Sequence, residues 1–134
     1  MGLIVQKYGG TSVADPDRIH AVADNVAITR RRGDDVIVVV SAMGKATDNL
    51  ISLADRVSRT QPGREMDMLL TTGERQTAAL MTMALADRVI EAVSYTGSQV
   101  GIITDTAHRK AKILEVKGDR VRQSLSEGKV CVIA

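Results

Sequence analysis

The chain has 134 residues, a formal net charge of +2, 44% apolar residues and 25% charged ones. That length suits one compact domain with a real core. With Tyr8 and Tyr95 as the only aromatics and no broad basic stripe, the composition argues against a nucleic-acid partner.

A single cysteine, Cys131, leaves no internal disulfide and fits a reducing compartment. No apolar stretch is long enough to span a bilayer, and the N-terminus lacks the basic-then-apolar pattern of a secretory signal. The expected setting is the cytoplasm, with no membrane partner.

In chain order, "GLIVQKY" predicts a first strand ending near Tyr8. "ADPDRIHAVADNVAITRRRG" predicts a helix, with Asp15 as cap and Pro16 at the first helical position, where its missing N–H costs nothing. Ile19, Val22, Ala23, Val26 and Ala27 follow helical spacing. Arg30 to Arg32 fall in the last turn, where cations suit the helix dipole, and Gly33 can close the end. The arginine run therefore reads as a solvated helix terminus.

"DVIVVVSAMG" is a β-branched run without alternation, which predicts a strand covered on both faces. "TDNLISLADRVSR" predicts a second helix capped by Thr47, and "RTQPG" a turn. A long apolar helix is predicted from about Glu65 to Arg88. "IEAVSYTG" predicts a strand entering a loop, "AKILEVKG" a short strand, "GDRVRQSLSEG" a short helix and "KVCVIA" a final buried strand. Strands alternating with helices predict an α/β fold, a three-layer αβα sandwich with a mostly parallel sheet.

In open α/β sheets ligands bind at the carboxyl ends of strands. Two such ends carry unusual chemistry, "KYGGTS" and "SAMGKATD". Glycines let backbone N–H groups close on phosphate oxygens, a lysine adds a mobile charge, and adjacent helix N-termini add positive potential. Neither loop is a Walker A motif, because Ala46 follows Gly44-Lys45 where Ser or Thr is required. A Gly-Gly turn after a strand can also be only a turn. A third feature is "DMLLTTGERQ": Glu74 follows Gly73 inside an apolar helix, where a glycine costs about 1 kcal/mol against alanine. A carboxylate there needs a cationic partner. Arg75 or another arginine would make it a structural ion pair; a ligand's ammonium would make it a site.

"VQKYGGTSV", "VVVVSAMGKATDNL", "REMDMLLTTGER", "SYTGSQVGIITD" and "GKVCVIA" occur in that order. Together they resemble the N-terminal part of the catalytic domain of aspartate kinases, in the amino acid kinase family. The likeness is strongest to bacterial lysine-sensitive or lysine-plus-threonine-sensitive types. It implies transfer of the ATP γ-phosphoryl group to the β-carboxylate of L-aspartate, giving 4-phospho-L-aspartate for lysine, threonine and methionine synthesis. It places Lys7 at the transferring phosphoryl group, with Tyr8, Gly9, Gly10 and Ser12 along the phosphate path. Ser41 would stand between phosphate and aspartate. Lys45, Ala46, Thr47, Asp48 and Asn49 would lie along the aspartate site, and Glu74 would hold the ammonium group. ATP would enter with Mg2+, with no tightly bound cofactor and no protein metal site, and the resemblance implies a homo-oligomer.

His20 and His108 are expected to be structural or solvated, the six methionines core fillers, and Cys131 inert packing. Gln76 and Lys110 depart from the family pattern. Enzymes of this kind are longer, with a nucleotide-binding half and ACT domains beyond the stretch seen here. The chain is therefore expected to be inactive alone and to work as a fragment or one piece of a split enzyme with a complementary chain. The alternative is a non-catalytic module that binds aspartate or a protein partner.

Overall fold

A computed structural model describes residues 2–107 and 112–134. Its main sheet has four parallel strands in the order β1 (Leu3–Tyr8), β2 (Asp35–Val40), β6 (Val130–Ile133), β3 (Ala92–Tyr95). A separate antiparallel pair joins β4 (Ile102–Thr104) to β5 (Ile113–Val116). The helices are α1 (Pro16–Arg31), α2 (Ala46–Val57), α3 (Gly63–Ala86) and α4 (Asp119–Ser126), with a short 3-10 turn at Gly10–Val13. The sequence reading missed β4, a three-residue strand after two turns. His108 and Lys110 lie outside the described residues.

Helix α1 forms as its ends dictate. Asp15 accepts the Arg18 N–H at 2.9 Å, Pro16 opens the helix, and Gly33 at φ 98° closes it. The arginines of its last turn are more than a solvated terminus. Arg30 donates to the carbonyls of Asp34 and Gly128, and Arg31 to that of Arg88. They satisfy backbone carbonyls where three segments meet, which a long planar donor can do from the surface.

Ile19, Val22, Ala23, Val26 and Ala27 of α1 pack with Met81, Ala84 and Leu85 of α3 over Val36, Val38 and Val40 of β2. On the opposite face, Val121 of α4 and Val100 cover Cys131 of β6, with Val93, Tyr95 and Ile133 around them. Burial among these neighbours pushes the Cys131 thiol's pKa up, which fits packing. The three-layer α/β expectation holds.

The expectation that β2 is covered on both faces does not. Val36, Val38 and Val40 are buried, while Asp35, Ile37 and Val39 are half-exposed. The reason is coverage: α4 packs on β6 and meets β3 at Tyr95, and Ile37 only borders that cluster. Beside β2, Leu3 and Val5 of β1 are 57% and 60% exposed on that same open face. The methionines divide likewise. Met66 and Met81 are core, whereas Met68 and Met83 sit on the outer face of α3.

The end of α3 is clasped to α1. Arg88 donates to Asp24 at 2.6 Å and to the His20 carbonyl, and its Nη2 lies 3.2 Å from His20 Nδ1. His20 is thus structural. The hydrogen bond from Arg88 holds the Asp24 carboxyl below its usual range. That contribution exists above the ordinary carboxylate pKa and fades as pH falls through the lowered one.

The helix then ends in a Schellman-type turn, with the Ile90 N–H on the Leu85 carbonyl. The residue in the left-handed position is Val89, at φ 58° and 93% exposed. A β-branched residue is poorly suited there, and nothing packs on its side chain to hold it. Val89→Gly should therefore raise stability by about 1 kcal/mol, net of glycine's entropic cost. Urea unfolding at constant m-value checks it; a lowered midpoint would refute it.

Candidate functional site at the carboxyl edge of the sheet

Parallel pairing brings the carboxyl ends of all four strands, Tyr8, Val40, Ile133 and Tyr95, to one edge. The loops leaving β1 and β2 are bound together there. The Ser41 N–H donates to the Tyr8 carbonyl at 3.2 Å, and the Gly44 N–H to the Gly10 carbonyl at 3.0 Å. A methyl group on Gly10 would come within 2.9 Å of the Ala42 carbonyl oxygen. Helix α3 reaches the same spot. A Cβ on Gly73 would meet the Ala42 Cβ at 3.1 Å and a Leu50 methyl at 3.4 Å. The helical glycine therefore serves close contact with the β2 loop and α2, and all three sequence motifs converge on Ala42.

Beyond Gly73, Glu74 is half-buried and opens into a cleft of about 350 Å³ lined by Thr71, Arg75, Thr96, Gly97, Ser98 and Ala134. Among the described residues Glu74 has no ion pair or hydrogen bond, so the structural pairing with Arg75 does not form. A free carboxylate beside a free guanidinium, in a cleft with hydroxyls, suits a small zwitterion.

The remaining candidates are spread along the edge. Lys7 is exposed and has no partner among the described residues, on the β1 face that carries Leu3 and Val5. Tyr8 turns the other way: its hydroxyl donates to Gln6 and accepts from Asn25 of α1, and its carbonyl accepts the Ser41 N–H. Gly9 borders open space. Ser12 lines a different cleft, with Tyr8, Thr11, Arg18 and Asn25, which does not share residues with the Glu74 cleft. Arg18 donates to the Thr11 carbonyl at 2.6 Å and pins the turn that carries Ser12 to α1.

Ser41 is half-buried at the end of β2. Helix α2 begins at Ala46, because the Ala46 N–H already closes a turn onto the Met43 carbonyl. Lys45 therefore holds the cap position without a side-chain cap, and Thr47 lies in the first turn, correcting its reading as the cap. Thr47 is half-buried, while Lys45, Asp48 and Asn49 are exposed. Gln76 is exposed on α3 and does not line the cleft.

The sequence reading assigned no role to Arg75 as a wall of this cleft, nor to Thr96, Gly97 and Ser98. The available signal was position, since "YTGS" leaves the carboxyl end of β3.

An α/β chain with glycine-rich and hydroxyl-bearing loops at one sheet edge, beside a free carboxylate, belongs to a recognisable class. The profile of the amino acid kinase family matches residues 2–134, and the chain belongs to that family. Within it, the chain is similar to aspartokinases: 52% identical over 134 residues to that of Bacillus sp. (strain MGA3) and 50% to that of Corynebacterium glutamicum. It spans 33% and 32% of the length of those two relatives, and all of itself is covered. The Synechocystis aspartate kinase structure superposes with a TM-score of 0.84 at 48% identity, covering 97% of this chain and 21% of that one. Aspartokinase III of E. coli, solved with aspartate and ADP, shares the fold at TM-score 0.79 and 21% identity, covering 98% and 40%. Among the described residues no helix is long and apolar enough to cross a membrane.

The two loop glycines should behave differently. Gly10→Ala drives a methyl into the Ala42 backbone and should cost about 1–3 kcal/mol as overpacking. Gly9→Ala, with nothing within 4 Å of the added carbon and a negative φ, should fold as the parent does. Paired thermal unfolding curves decide it; equal stability of the two variants would break the assignment of Gly10 to loop contact.

Proposed function

We propose that this chain is the amino-acid-binding part of an aspartate kinase, which moves the ATP γ-phosphoryl group to the β-carboxylate of L-aspartate. The observation that carries the reading is Glu74, a half-buried carboxylate without a partner in a small polar cleft at the strand ends. It supplies the counter-charge for a substrate ammonium. The aspartokinase relatives support the choice of reaction. Because the chain spans about a third of their length, the nucleotide-binding half is supplied by further polypeptide, in the same protein or a second chain.

The chemistry needs little from side chains. A β-carboxylate, with an ordinary pKa of about 3.9, is ionised at neutral pH and attacks without a general base. Catalysis is then positioning and charge neutralisation. Glu74 fixes the ammonium end. The segment Lys45 to Asn49 flanks the substrate, and Ser41 stands between it and the phosphate. Lys7 draws negative charge off the transferring group, with the free backbone around Gly9 beside it. ATP enters as its magnesium complex, the ion belonging to the substrate.

The test is an ATP- and magnesium-dependent aspartyl hydroxamate assay on the protein as isolated, with whatever co-purifies. In active material Lys7→Ala should lower turnover by about 10²–10³-fold with little change in aspartate affinity, as loss of one transition-state donor does. Glu74→Ala should raise the aspartate KM by about tenfold or more, the loss of one charge-assisted pair. Unchanged kinetics in both variants would remove the site from this edge.

A further inference from the structure

Gly73 is buried inside α3, one residue before Glu74. Its backbone is helical, where alanine is the favoured residue and glycine a costly one. The neighbours show what the missing side chain makes room for. A Cβ at Gly73 would lie 3.1 Å from the Ala42 Cβ, 3.4 Å from a Leu50 methyl and 3.9 Å from the Ala46 Cβ. Those three residues belong to the loop after β2 and the first turns of α2, the stretch that includes Ser41 and residues 45–49. Around the contact α3 is braced. The buried Thr77 donates its hydroxyl to the Gly73 carbonyl at 3.3 Å, and Thr72 donates to the Leu69 carbonyl at 2.7 Å. Gly73 therefore seats Glu74 at a fixed distance from the β2 loop.

In the proposed reaction the amino acid must bridge two points, with its ammonium at Glu74 and its reacting carboxylate beside Ser41. Ala42 follows Ser41 and Gly73 precedes Glu74. The residues in contact are thus the immediate neighbours of the two that hold the substrate's ends. We propose that the Gly73–Ala42 contact determines substrate length: it holds the Ser41-to-Glu74 span to that of an amino acid with one methylene between its α-carbon and the reacting carboxylate. Gly73 is then a positioning residue that acts through Glu74, and Ala42 is its counterpart. This rests on the reading of Glu74 as the ammonium acceptor. Glutamate, one methylene longer, is the amino acid the contact rejects. A methyl at Gly73 makes a neighbour give by a few tenths of an ångström. That lifts α3 off the loop and lengthens the span toward glutamate.

The experiment is calorimetric titration of the chain, wild type and variants, with L-aspartate and with L-glutamate. Melting curves are read in parallel. Wild type should bind aspartate more tightly by about tenfold or more, the discrimination that one methylene allows. Gly73→Ala should weaken aspartate by about tenfold and leave glutamate at or above its wild-type affinity, so that the preference collapses. Ala42→Val crowds the same contact from the loop side. It should shift the preference in the same direction, and it reads the contact where Gly73→Ala does not fold. Gly73→Ala combined with Ala42→Gly, which removes the atom the new methyl meets, should restore the preference. A merely structural contact would weaken both amino acids together, and that result would overturn the inference. A wild type without preference would overturn it too, as would single variants that keep the wild-type preference; both leave Glu74's role intact. Glu74→Ala is read alongside. Wild-type aspartate affinity in that variant, or no binding of either amino acid by wild type, would instead bring down the reading of Glu74, and the length rule with it.

Discussion

Ala42 is where the carboxyl edge is decided. It is buried between two backbones that can approach only because they carry no side chain, at Gly10 and at Gly73. The β1 loop closes onto it from one side and the middle of α3 from the other. A methyl at either glycine must move a neighbour, and at Gly10 that neighbour is main chain. The positions of Gly9, Ser41 and Glu74 all follow from this contact, because each is one residue from a member of it. A site assembled this way is set by backbone fit, and its side chains remain free for a ligand.

The price of that freedom is visible in the hydrogen-bond inventory. Elsewhere the fold satisfies its polar groups: among the described residues no buried side-chain nitrogen or oxygen lacks a partner. The hydroxyls of Thr77, Thr82 and Thr29 fold back on helix carbonyls. Tyr95 meets Ser124, and Gln6, Tyr8, Asn25 and Thr29 form one chain. At the strand ends Glu74 is half-buried and without a partner among the described residues, and Lys7, Arg75 and Ser98 are exposed and likewise without one there. Polar groups concentrated without partners at the carboxyl edge of a parallel sheet are what a binding site requires.

How much was legible in the sequence depended on whether a local or a global cause set the feature. Asp15, Pro16 and Gly33 specify α1 within their own turns, and the structure follows them. The β2 run named a strand from its β-branched residues alone. Its surroundings were not local: whether Ile37 and Val39 are covered depends on how far α4 reaches across the sheet. Thr47 failed as a cap because a turn from Met43 had already started the helix, a backbone event that residue preference does not encode. Glu74 was visible as an oddity, a carboxylate in an apolar helix. Its lack of a partner was not, since Arg75 beside it made an ion pair just as consistent with the pattern. Thr96 to Ser98 were passed over because a Thr-Gly-Ser stretch looks like any turn until the fold brings it opposite Glu74.

The two faces of the sheet bear on the direction of the chemistry. Helices α1 and α3 fill the face behind Tyr8 and Val40, and the Tyr8 hydroxyl is tied to α1. Lys7 points to the other face, over Leu3 and Val5, which the described residues leave open. The Glu74 cleft lies at the far end of the edge, at the ends of β6 and β3, with Ala134 in its wall. In the proposed reaction donor and acceptor then reach the edge from different sides. Aspartate enters beside α3 and the 96–99 turn, and the phosphoryl donor comes over the open face of β1. Ser41, at the end of β2 between the two, is the residue where that proposal has the paths meet. In that proposal the nucleotide's bed over β1 comes from further polypeptide of the kind the longer relatives carry, on the face where Leu3 and Val5 stand exposed beside the proposed catalytic lysine.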